Sequence, residues 1–382
     1  MTTSQQQRDE WLDLVRGLCA LLVCAGHLRS ALFMDRGGNG IGLLADGFYA
    51  ITSLGHEAVM VFFVLSGYWV GGSVLKQAAH FSWTRYALAR GSRLWVVLVP
   101  ALVITLLIDL RLDLVDPSLL QGAYYADLSS GPAATHPYSR SLLTWLGNLF
   151  MLQNLLVPVF GSNGPLWSLA CEAWYYLIFP LGVIGLRPGG SAWIRWLCLG
   201  LGAAALLVIS PGFLPGLMIW LMGVAAAALS QRQALPESRG WQVLAVLAVA
   251  ASLAQAKLLA PTGRGLPWSD GWIGLSVACW ILSLRGRSEL PQCLPLRAMA
   301  HWLSSISYSL YLFHFPLVLL IFAELYRHKA LEFNFNHLLQ FVFWLAAILT
   351  LSHLAWWAFE RRTAEVRAVL SRKLQGLSSA QP

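Results

Sequence analysis

The sequence predicts an all-α, polytopic integral membrane protein with about ten transmembrane helices, and three observations support this fold class. Hydrophobic residues make up 57% of the 382 residues and charged residues only 12%, whereas soluble domains carry about 25% charged residues. The mean hydropathy is +0.60, and apolar runs of spanning length recur along the chain. Several of the 18 tryptophans lie near the ends of these runs, as in interfacial aromatic belts: Trp11, Trp83, Trp145, Trp268 and Trp302.

Ten apolar segments account for the predicted spans, and together they form one transmembrane domain over residues 1–382. The spans are predicted at 12–34, 48–75, 94–110, 165–186, 193–210, 213–230, 241–259, 268–284, 303–323 and 337–358. Arg16 interrupts the first run and no small-residue cleavage site is evident, so this run is predicted to be a retained span and not a signal peptide.

The distribution of basic residues predicts the orientation of the chain. About two thirds of the 26 Lys and Arg residues fall in segments on the side of the N-terminus. Because cytoplasmic segments are enriched in Lys and Arg, both termini are predicted to be cytoplasmic. The net charge of +8 would suggest nucleic-acid binding in a soluble protein, but here the dispersed charges report topology, and no nucleic-acid partner is expected.

The segment 141–160 is apolar enough to span but carries Asn148, Gln153 and Asn154. Counting it as a span would invert every later loop and place the basic C-terminal tail outside. It is therefore predicted to be re-entrant or interfacial, which requires that protein cover its irregular backbone. The preceding stretch, 111–140, is the longest polar segment and is predicted to be an extracytoplasmic loop where an external substrate could bind.

Two ionisable residues lie inside the first predicted span. Arg16 and His27 fall on one helical face about 16 Å apart, roughly half a bilayer. A buried Arg costs about 3 kcal/mol on insertion scales, although Asp13, one turn earlier, could partner it. Two explanations stay open: a functional pair, or side chains that reach the two opposite interfaces.

Arg90 and Arg93 are placed at the end of a basic hairpin loop, 76–93, at the entrance of the third span. At i and i+3 they share one helical face, a geometry suited to clasping a phosphate, for which Arg is better than Lys. The alternative is a topogenic signal that touches lipid phosphates.

The second span begins with Glu57 and contains Ser66-Gly67. A carboxylate near the membrane face is costly unless it is solvated or paired, so Glu57 is predicted to line a cavity or to lie among the headgroups. Ser66-Gly67 would permit close helix packing or a local opening of the backbone.

The fourth and ninth spans each carry an ionisable residue. Glu172 lies about two turns into the fourth span, near Trp167. An unpaired carboxyl at that depth is expected to take up a proton, whereas one paired with Arg or protonated His could orient a base. His314 lies two residues before Pro316 and is either functional or a hydrogen-bonded core residue.

The six cysteines show no metal-ligand spacing, so they are expected to be inert packing thiols with neither a disulfide nor a metal. They are Cys19, Cys24, Cys171, Cys198, Cys279 and Cys293.

Six motifs, taken in order, resemble the membrane-bound acyltransferase family 3, whose members modify sugars of surface polysaccharides, of lipopolysaccharide O-antigen and, in some actinobacteria, of macrolides. The motifs are Leu12-Asp13-x-x-Arg16-Gly17 with His27, Phe62-Phe63-Val64-Leu65-Ser66-Gly67-Tyr68, Arg90-x-x-Arg93, Leu166-Trp167-Ser168-Leu169 with Glu172, Ser307-Tyr308-Ser309-Leu310-Tyr311 with His314, and Phe359-Glu360-Arg361. Each motif alone is weak, but the ordered set runs from the first span to the last.

The resemblance implies a ten-helix core in the bacterial inner membrane that transfers an acyl group, usually acetyl, from cytoplasmic acyl-CoA. The implied acceptor is a sugar hydroxyl of a surface polysaccharide, a lipopolysaccharide or a glycolipid. Membrane lipid is expected to surround the helices of the protein. Some relatives carry a C-terminal periplasmic esterase-like domain. This chain ends about twenty residues after its last predicted span, so it is expected to lack that domain and to act alone or with a partner.

The resemblance also assigns residue roles. His27 is the implied catalytic histidine with Arg16 as its companion, Arg90 and Arg93 are the implied acyl-CoA phosphate ligands, and Glu172 and His314 match motif positions of the family. Asp13 and Glu172 are also predicted to be catalytic, and the predicted substrate-binding residues are Glu57, Ser66, Trp167 and His314. His27 could remove the proton from a sugar hydroxyl, or it could itself carry the acyl group as an acyl-imidazole. Arg16 is assigned charge stabilisation because Arg does not lose its proton.

Two other function classes compete with acyl transfer. In a proton-coupled transporter or flippase of a sugar-containing or lipid substrate, the intramembrane residues Arg16, Glu57, Glu172 and His314 would form a path. In a non-catalytic scaffold for polysaccharide assembly, the Arg90-x-x-Arg93 motif would only set topology.

Overall fold

The computed structural model describes residues 3–34, 42–128, 130–133, 138–188, 191–209, 211–232, 238–259, 268–284 and 294–379. Over these residues the chain is helical, and the extended pairing consists of three isolated backbone bridges. The predicted all-α class is therefore confirmed. Cys293 lies outside the described residues.

Sixteen α-helices make up the described part of the chain. In the first half they are α1 (Thr3–Leu32), α2 (Leu43–Thr52), α3 (Gly55–Ser66), α4 (Gly72–Gln77), α5 (Trp83–Val115), α6 (Pro117–Leu120), α7 (Tyr125–Leu128), α8 (Leu142–Leu149) and α9 (Leu166–Leu186). In the second half they are α10 (Ala192–Val208), α11 (Phe213–Gln231), α12 (Arg239–Ala254), α13 (Ser269–Ser283), α14 (Leu294–Glu324), α15 (Phe335–Ala358) and α16 (Thr363–Ser379). Two π-helical segments, Gly67–Gly71 and Gln255–Leu259, follow α3 and α12.

Eight helical stretches in the described residues are long and apolar enough to cross a membrane, which confirms the polytopic class. They are Glu10–Leu32, Gly55–His80, Trp83–Val115, Leu166–Leu186, Phe213–Gln231, Arg239–Leu259, Pro295–Glu324 and Phe335–Leu374. The other two predicted spans, 193–210 and 268–284, coincide with α10 and α13, which are shorter at 17 and 15 residues. Residue 210 lies outside the described residues.

The predicted second span, 48–75, is interrupted in the structure because α2 ends at Thr52 and α3 begins at Gly55. Hydroxyl groups mark the break: Thr52 Oγ1 donates to the carbonyl of Phe48, and Ser53 Oγ donates to that of Ala50. Such local bonds compete with the helical ladder and bend or end it. The apolar run alone gives no sign of this interruption.

The predicted loop at 76–93 is also largely helical. Ser82 caps α5, with Ser82 Oγ accepting from the backbone N–H of Arg85, so the helix begins at Trp83 and not at 94. The same helix continues to Val115, five residues into the predicted loop 111–140. Hydropathy misses these ends because the turns of a helix beyond the hydrocarbon can be polar.

The chain divides into two compact units that alternate along the sequence. Unit 1 comprises residues 1–19, 56–80 and 171–304, and unit 2 comprises residues 20–55, 81–170 and 305–382.

Unit 1 contains a close contact between backbones. A side chain at Gly67 would collide with the carbonyl of Trp220, and one at Gly223 would collide with the carbonyl of Val64. Small residues allow such approaches between membrane helices. The π-helical segment that begins at Gly67 therefore packs directly on α11.

Unit 2 contains the segment 141–160, and the structure shows that it is not a spanning helix. After the eight residues of α8 its backbone is non-helical. Asn148 is fully buried, accepts from the N–H of Phe160 (2.9 Å) and donates to the carbonyl of Pro158 (2.9 Å). Gln153 Nε2 donates to the carbonyl of Leu166. Asn148 thus satisfies backbone groups of a non-helical stretch, and Gln153 connects this stretch to the start of α9.

Candidate active site

Two histidines from distant parts of the chain meet in unit 2. His27 on α1 and His314 on α14 place Nδ1 and Nε2 2.9 Å apart. The two imidazole rings lie almost parallel, with centroids 5.2 Å apart. The ring of Phe315 stands at 74° to that of His27, with centroids 4.9 Å apart. His314 is fully buried. The sequence alone gave no reason to join these two residues.

The surroundings of His314 assign the protons on both rings. His314 Nδ1 lies 3.0 Å from the carbonyl oxygen of Leu310 and 2.9 Å from that of Tyr311. Carbonyl oxygens only accept, so Nδ1 carries the hydrogen, and with both rings neutral His314 Nε2 is an acceptor. His27 Nδ1 must then donate to His314, which leaves a lone pair on His27 Nε2.

Pro316 explains a second feature of α14. A proline has no N–H to offer the carbonyl four residues earlier, which here belongs to Leu312. The amide of the fully buried Asn163 fills the vacancy, donating to Leu312 O (2.9 Å) and to Thr105 Oγ1 (3.2 Å). The helix next to His314 is thus fixed by a side chain from another segment.

Further hydrogen bonds join the sequence motifs within unit 2. Tyr311 Oη lies 2.6 Å from Ser168 Oγ and donates to the carbonyl of Pro165 (3.1 Å). Glu360 Oε2 accepts from the backbone N–H of Ser309 (3.1 Å) and from its hydroxyl (2.7 Å). The fourth-span and C-terminal motifs therefore both support the helix that carries His314.

Arg16 lies in unit 1 with the partner expected from the sequence. Its guanidinium is 3.2 Å from Asp13 Oδ1, and it donates to the carbonyl (3.2 Å) and the hydroxyl of Ser304. Ser304 Oγ in turn donates to Asp13 (2.8 Å), and the guanidinium lies 5.2 Å from the ring of Trp69. The side chain is only 21% exposed, and the ion pair with Asp13 compensates its charge.

Glu172 and Ser66 also lie in unit 1, where Tyr176 connects them. Tyr176 Oη donates to Glu172 Oε1 (2.6 Å) and lies 3.0 Å from Ser66 Oγ, which accepts from Trp220 Nε1 (3.1 Å). Glu172 thus has a phenol as partner, whereas the sequence left open an unpaired carboxyl or one paired with Arg or protonated His.

Glu57 in unit 1 forms an ion pair at 2.9 Å with Lys257, and its side chain is 6% exposed. Glu57 therefore has a direct partner for its charge, and its predicted position at a cavity or among the headgroups stays a prediction.

Arg90 and Arg93 lie within α5 and not in a loop. Arg90 is half-buried, with its guanidinium 5.9 Å from the ring of Tyr86, and Arg93 is exposed. The basic helix α16 packs against α5. The two arginines keep the one-turn spacing of the predicted phosphate clasp.

Sequence reasoning missed three polar residues that build these sites, namely Ser304, Tyr176 and Asn163. Pro316 was a usable signal for Asn163, because a proline inside a helix predicts a carbonyl in need of a donor. Tyr176 lies one helical turn after Glu172, a spacing that indicates a contact, whereas Ser304 lies far along the chain from Arg16.

Metal-ligating residues do not cluster in the described part of the chain, where no group of three His, Cys, Asp or Glu could hold an ion. The five described cysteines are free thiols, four of them buried.

A comparison with models of protein families shows to which family the chain belongs. The model of a family described as an acyltransferase domain matches residues 9–358. The chain belongs to this acyltransferase family. All ten residues assigned from the motifs, from Asp13 to His314, fall within the match. The histidine pair falls within the match, and a hydrogen-bonded imidazole is a group that acyl transfer can use.

A curated relative supports the same membership. Acyltransferase MdmB of Streptomyces mycarofaciens is 28% identical over 199 residues, which cover 51% of this chain and 44% of the relative. The match thus spans less than half of that relative's length. No solved structure matches the chain.

Proposed function

We propose that this family member is an integral membrane O-acyltransferase of the bacterial inner membrane. It moves an acyl group, with acetyl favoured, from cytoplasmic acyl-CoA to a sugar hydroxyl of a surface polysaccharide, a lipopolysaccharide or a glycolipid. The observation that carries the proposal is the hydrogen-bonded pair of His27 and His314 in a chain of the acyltransferase family.

In the proposed reaction, His27 Nε2 accepts the proton of the acceptor hydroxyl while the hydroxyl oxygen attacks the thioester carbonyl. The C–O ester bond forms, the C–S bond breaks, and the CoA thiolate takes the proton from His27. His314 accepts the hydrogen bond of His27 Nδ1, which orients the ring and favours the imidazolium that forms.

The same Nε2 could instead attack the thioester first and carry the acyl group as an acyl-imidazole. Both routes need the lone pair on His27 Nε2, and that lone pair is absent if His27 takes the other tautomer.

Arg90 and Arg93 are the proposed ligands of the CoA phosphates. They belong to the same unit as the histidine pair, and Arg93 is exposed. Arg16 has a different role in this proposal. Because Asp13 compensates its charge, Arg16 holds α1 to Ser304 in unit 1.

The rival transporter pathway loses support from the ion pairs. Of its four proposed residues, Arg16 is bonded to Asp13 and Glu57 to Lys257. A charged side chain that is held in an ion pair is poorly suited to accept and release a proton during transport.

The decisive experiment replaces His27 in the full-length protein. For His27→Ala we expect at least a 100-fold loss of acyl-CoA-dependent transfer in membranes, because a positioned base contributes about 10²–10⁴-fold. Mass spectrometry of surface glycans and lipids should show the matching loss of an acyl mass.

The control is His353→Gln, which changes a histidine on the spanning helix α15 outside the pair. It should keep transfer near the wild-type rate. Near-wild-type transfer by His27→Ala, at equal protein in the membrane, would refute the proposed function.

A further inference from the structure

A cleft of about 480 Å³ lies within unit 2, a volume typical of small-molecule sites. Among the described residues, Tyr125, 130–132 and Tyr138 line one side, and residues between Asn154 and Trp167 line the other. Three aromatic side chains, Tyr125, Tyr138 and Trp167, contribute to its walls. The cleft belongs to neither the histidine pair nor the arginine clasp.

Buried hydrogen bonds fix the shape of this cleft. Tyr138 Oη donates to Asp109 Oδ2 (3.0 Å), and the same carboxylate accepts from the N–H of Ser162 (2.9 Å). Asp109 is fully buried. Gly161, with φ of 58°, lies so close to Asp109 that a side chain there would collide with the carboxylate. The wall is thus preorganised, which lowers the entropic cost of binding.

The composition of the lining indicates the chemistry of the occupant. None of the described residues that line the cleft is charged, which disfavours the phosphate-bearing donor. Aromatic faces suit the C–H faces of a pyranose ring, and the side chains of Ser130, Asn154 and the two tyrosines can bond its hydroxyl groups. A lipid chain would leave these polar groups unpaired.

The floor of the cleft lies against the residues that flank the histidine pair. A Cβ on Gly131 would lie 2.8 Å from Cε1 of Phe315, and the Phe315 ring contacts His27 at 4.9 Å. Gly164, also in the lining, precedes Pro165, whose carbonyl accepts from Tyr311. One layer of side chains therefore separates the cleft from His27.

We infer that this cleft is an acceptor subsite that holds a neutral pyranose ring beside the reacting centre. The inference rests on the proposed function, because it supplies the acceptor for the transfer at His27. The bound ring then lies one side-chain layer, that of Phe315, from His27, and the reacting hydroxyl belongs to the sugar residue attached to it.

Direct binding tests the inference without relying on turnover. Full-length protein in lipid nanodiscs is mixed with methyl α-glycosides of glucose, galactose, mannose and rhamnose, and saturation-transfer NMR detects the bound sugar. We expect signal for at least one glycoside. Tyr125→Leu and Trp167→Leu should each reduce that signal at least five-fold, because each removes an aromatic face.

Phe150→Leu is the matched control. Phe150 is an aromatic residue of the same segment, 61% exposed and not part of the lining, so its replacement should leave the signal unchanged. Absence of signal for all four glycosides, or equal signal in both cleft variants, would overturn the inference. A saturation-transfer signal on the acyl chains of dihexanoylphosphatidylcholine that disappears in Tyr125→Leu would also overturn the inference. That result would identify a lipid as the occupant of the cleft.

The outcomes separate the two proposals. If the protein transfers acyl groups but binds no pyranoside, the result refutes the proposed acceptor subsite and leaves the proposed function intact. Protein that binds a pyranoside in the cleft but transfers no acyl group refutes the proposed function alone.

Discussion

His314 determines which nitrogen of His27 can react. Two backbone carbonyls fix the hydrogen on His314 Nδ1, and His314 Nε2 then fixes the hydrogen on His27 Nδ1. The arrangement resembles a triad in which the orienting carboxylate is replaced by a neutral imidazole. A neutral partner suits a buried site, because it adds no charge that must be compensated.

His314→Leu should reduce kcat by about 100-fold or more, because His27 Nδ1 loses its acceptor and the reactive tautomer is no longer favoured. His314→Gln should restore part of kcat, since the Gln carbonyl oxygen can accept the same hydrogen bond. The measurement is acyl transfer in membranes with kcat and the donor KM determined separately.

An unchanged donor KM would fit a positioning residue. Equal kcat for the Leu and Gln variants would show that the bond to His27 has no part in the reaction.

The residues differ in how well the sequence predicted their neighbours. Asp13 and Arg16 are one helical turn apart, so their ion pair could be predicted from spacing. His27 and His314 are 287 positions apart, and no local rule connects them. The same holds for Glu57 and Lys257.

At the scale of elements, polar residues in apolar segments distinguished spans from other structures. Asn148 and Gln153 argued against a span at 141–160. Asn148 bonds the non-helical backbone of this segment, and Gln153 bonds the first residue of α9. Helix ends were predicted less well. Ser82 starts α5 eleven residues before the predicted span because a cap acts through the backbone and not through hydropathy.

Gly223→Ala should destabilise unit 1 by about 1–3 kcal/mol, because the new methyl group would collide with the carbonyl of Val64. Gly200→Ala is the control, since nothing lies within 4 Å of its added Cβ, and it should be neutral or stabilising. Thermal unfolding in detergent, followed by size-exclusion fluorescence, compares the two. Equal midpoints would contradict the tight contact.

Arg90→Ala with Arg93→Ala should raise the KM for acyl-CoA about ten-fold or more at low ionic strength, because two charge-assisted contacts are lost. The difference from wild type should shrink at high salt, where such exposed contacts are screened. Binding of labelled acyl-CoA is the direct measurement.

Arg85→Ala, more than one turn before Arg90 on the same helix, serves as the control for general loss of charge. Equal binding by the double variant and wild type would exclude the clasp.

At the scale of the whole molecule, each unit uses polar contacts from distant segments to hold apolar helices. Unit 1 contains the hydrogen bonds of Arg16 and those that link Glu172 through Tyr176 to Ser66. Unit 2 contains the histidine pair, the arginine clasp and the cleft. The proposed chemistry therefore lies in unit 2. The residues of unit 1 have structural partners that explain their charge.

Cysteine labelling should establish the orientation of the chain. Leu142→Cys and Leu156→Cys, both at positions 72% exposed, should react with an impermeant maleimide applied from outside the cell. Arg372→Cys in α16 should react only after permeabilisation, because the tail is predicted to be cytoplasmic. Wild-type protein gives the background of the native thiols.

Labelling of Leu142→Cys and Leu156→Cys from opposite sides would show that 141–160 crosses the membrane. Labelling of the tail in intact cells would overturn the predicted orientation.

The sequence by itself determined the membrane class, the positions of the helices and the set of chemically capable residues, because hydropathy, spacing and charge act over neighbouring residues. Only the tertiary structure decided which of those residues meet. Hydrogen bonds between side chains far apart along the chain depend on how the helices pack. That packing joined His27 to His314, paired Glu57 with Lys257 and built the neutral cleft beside Phe315.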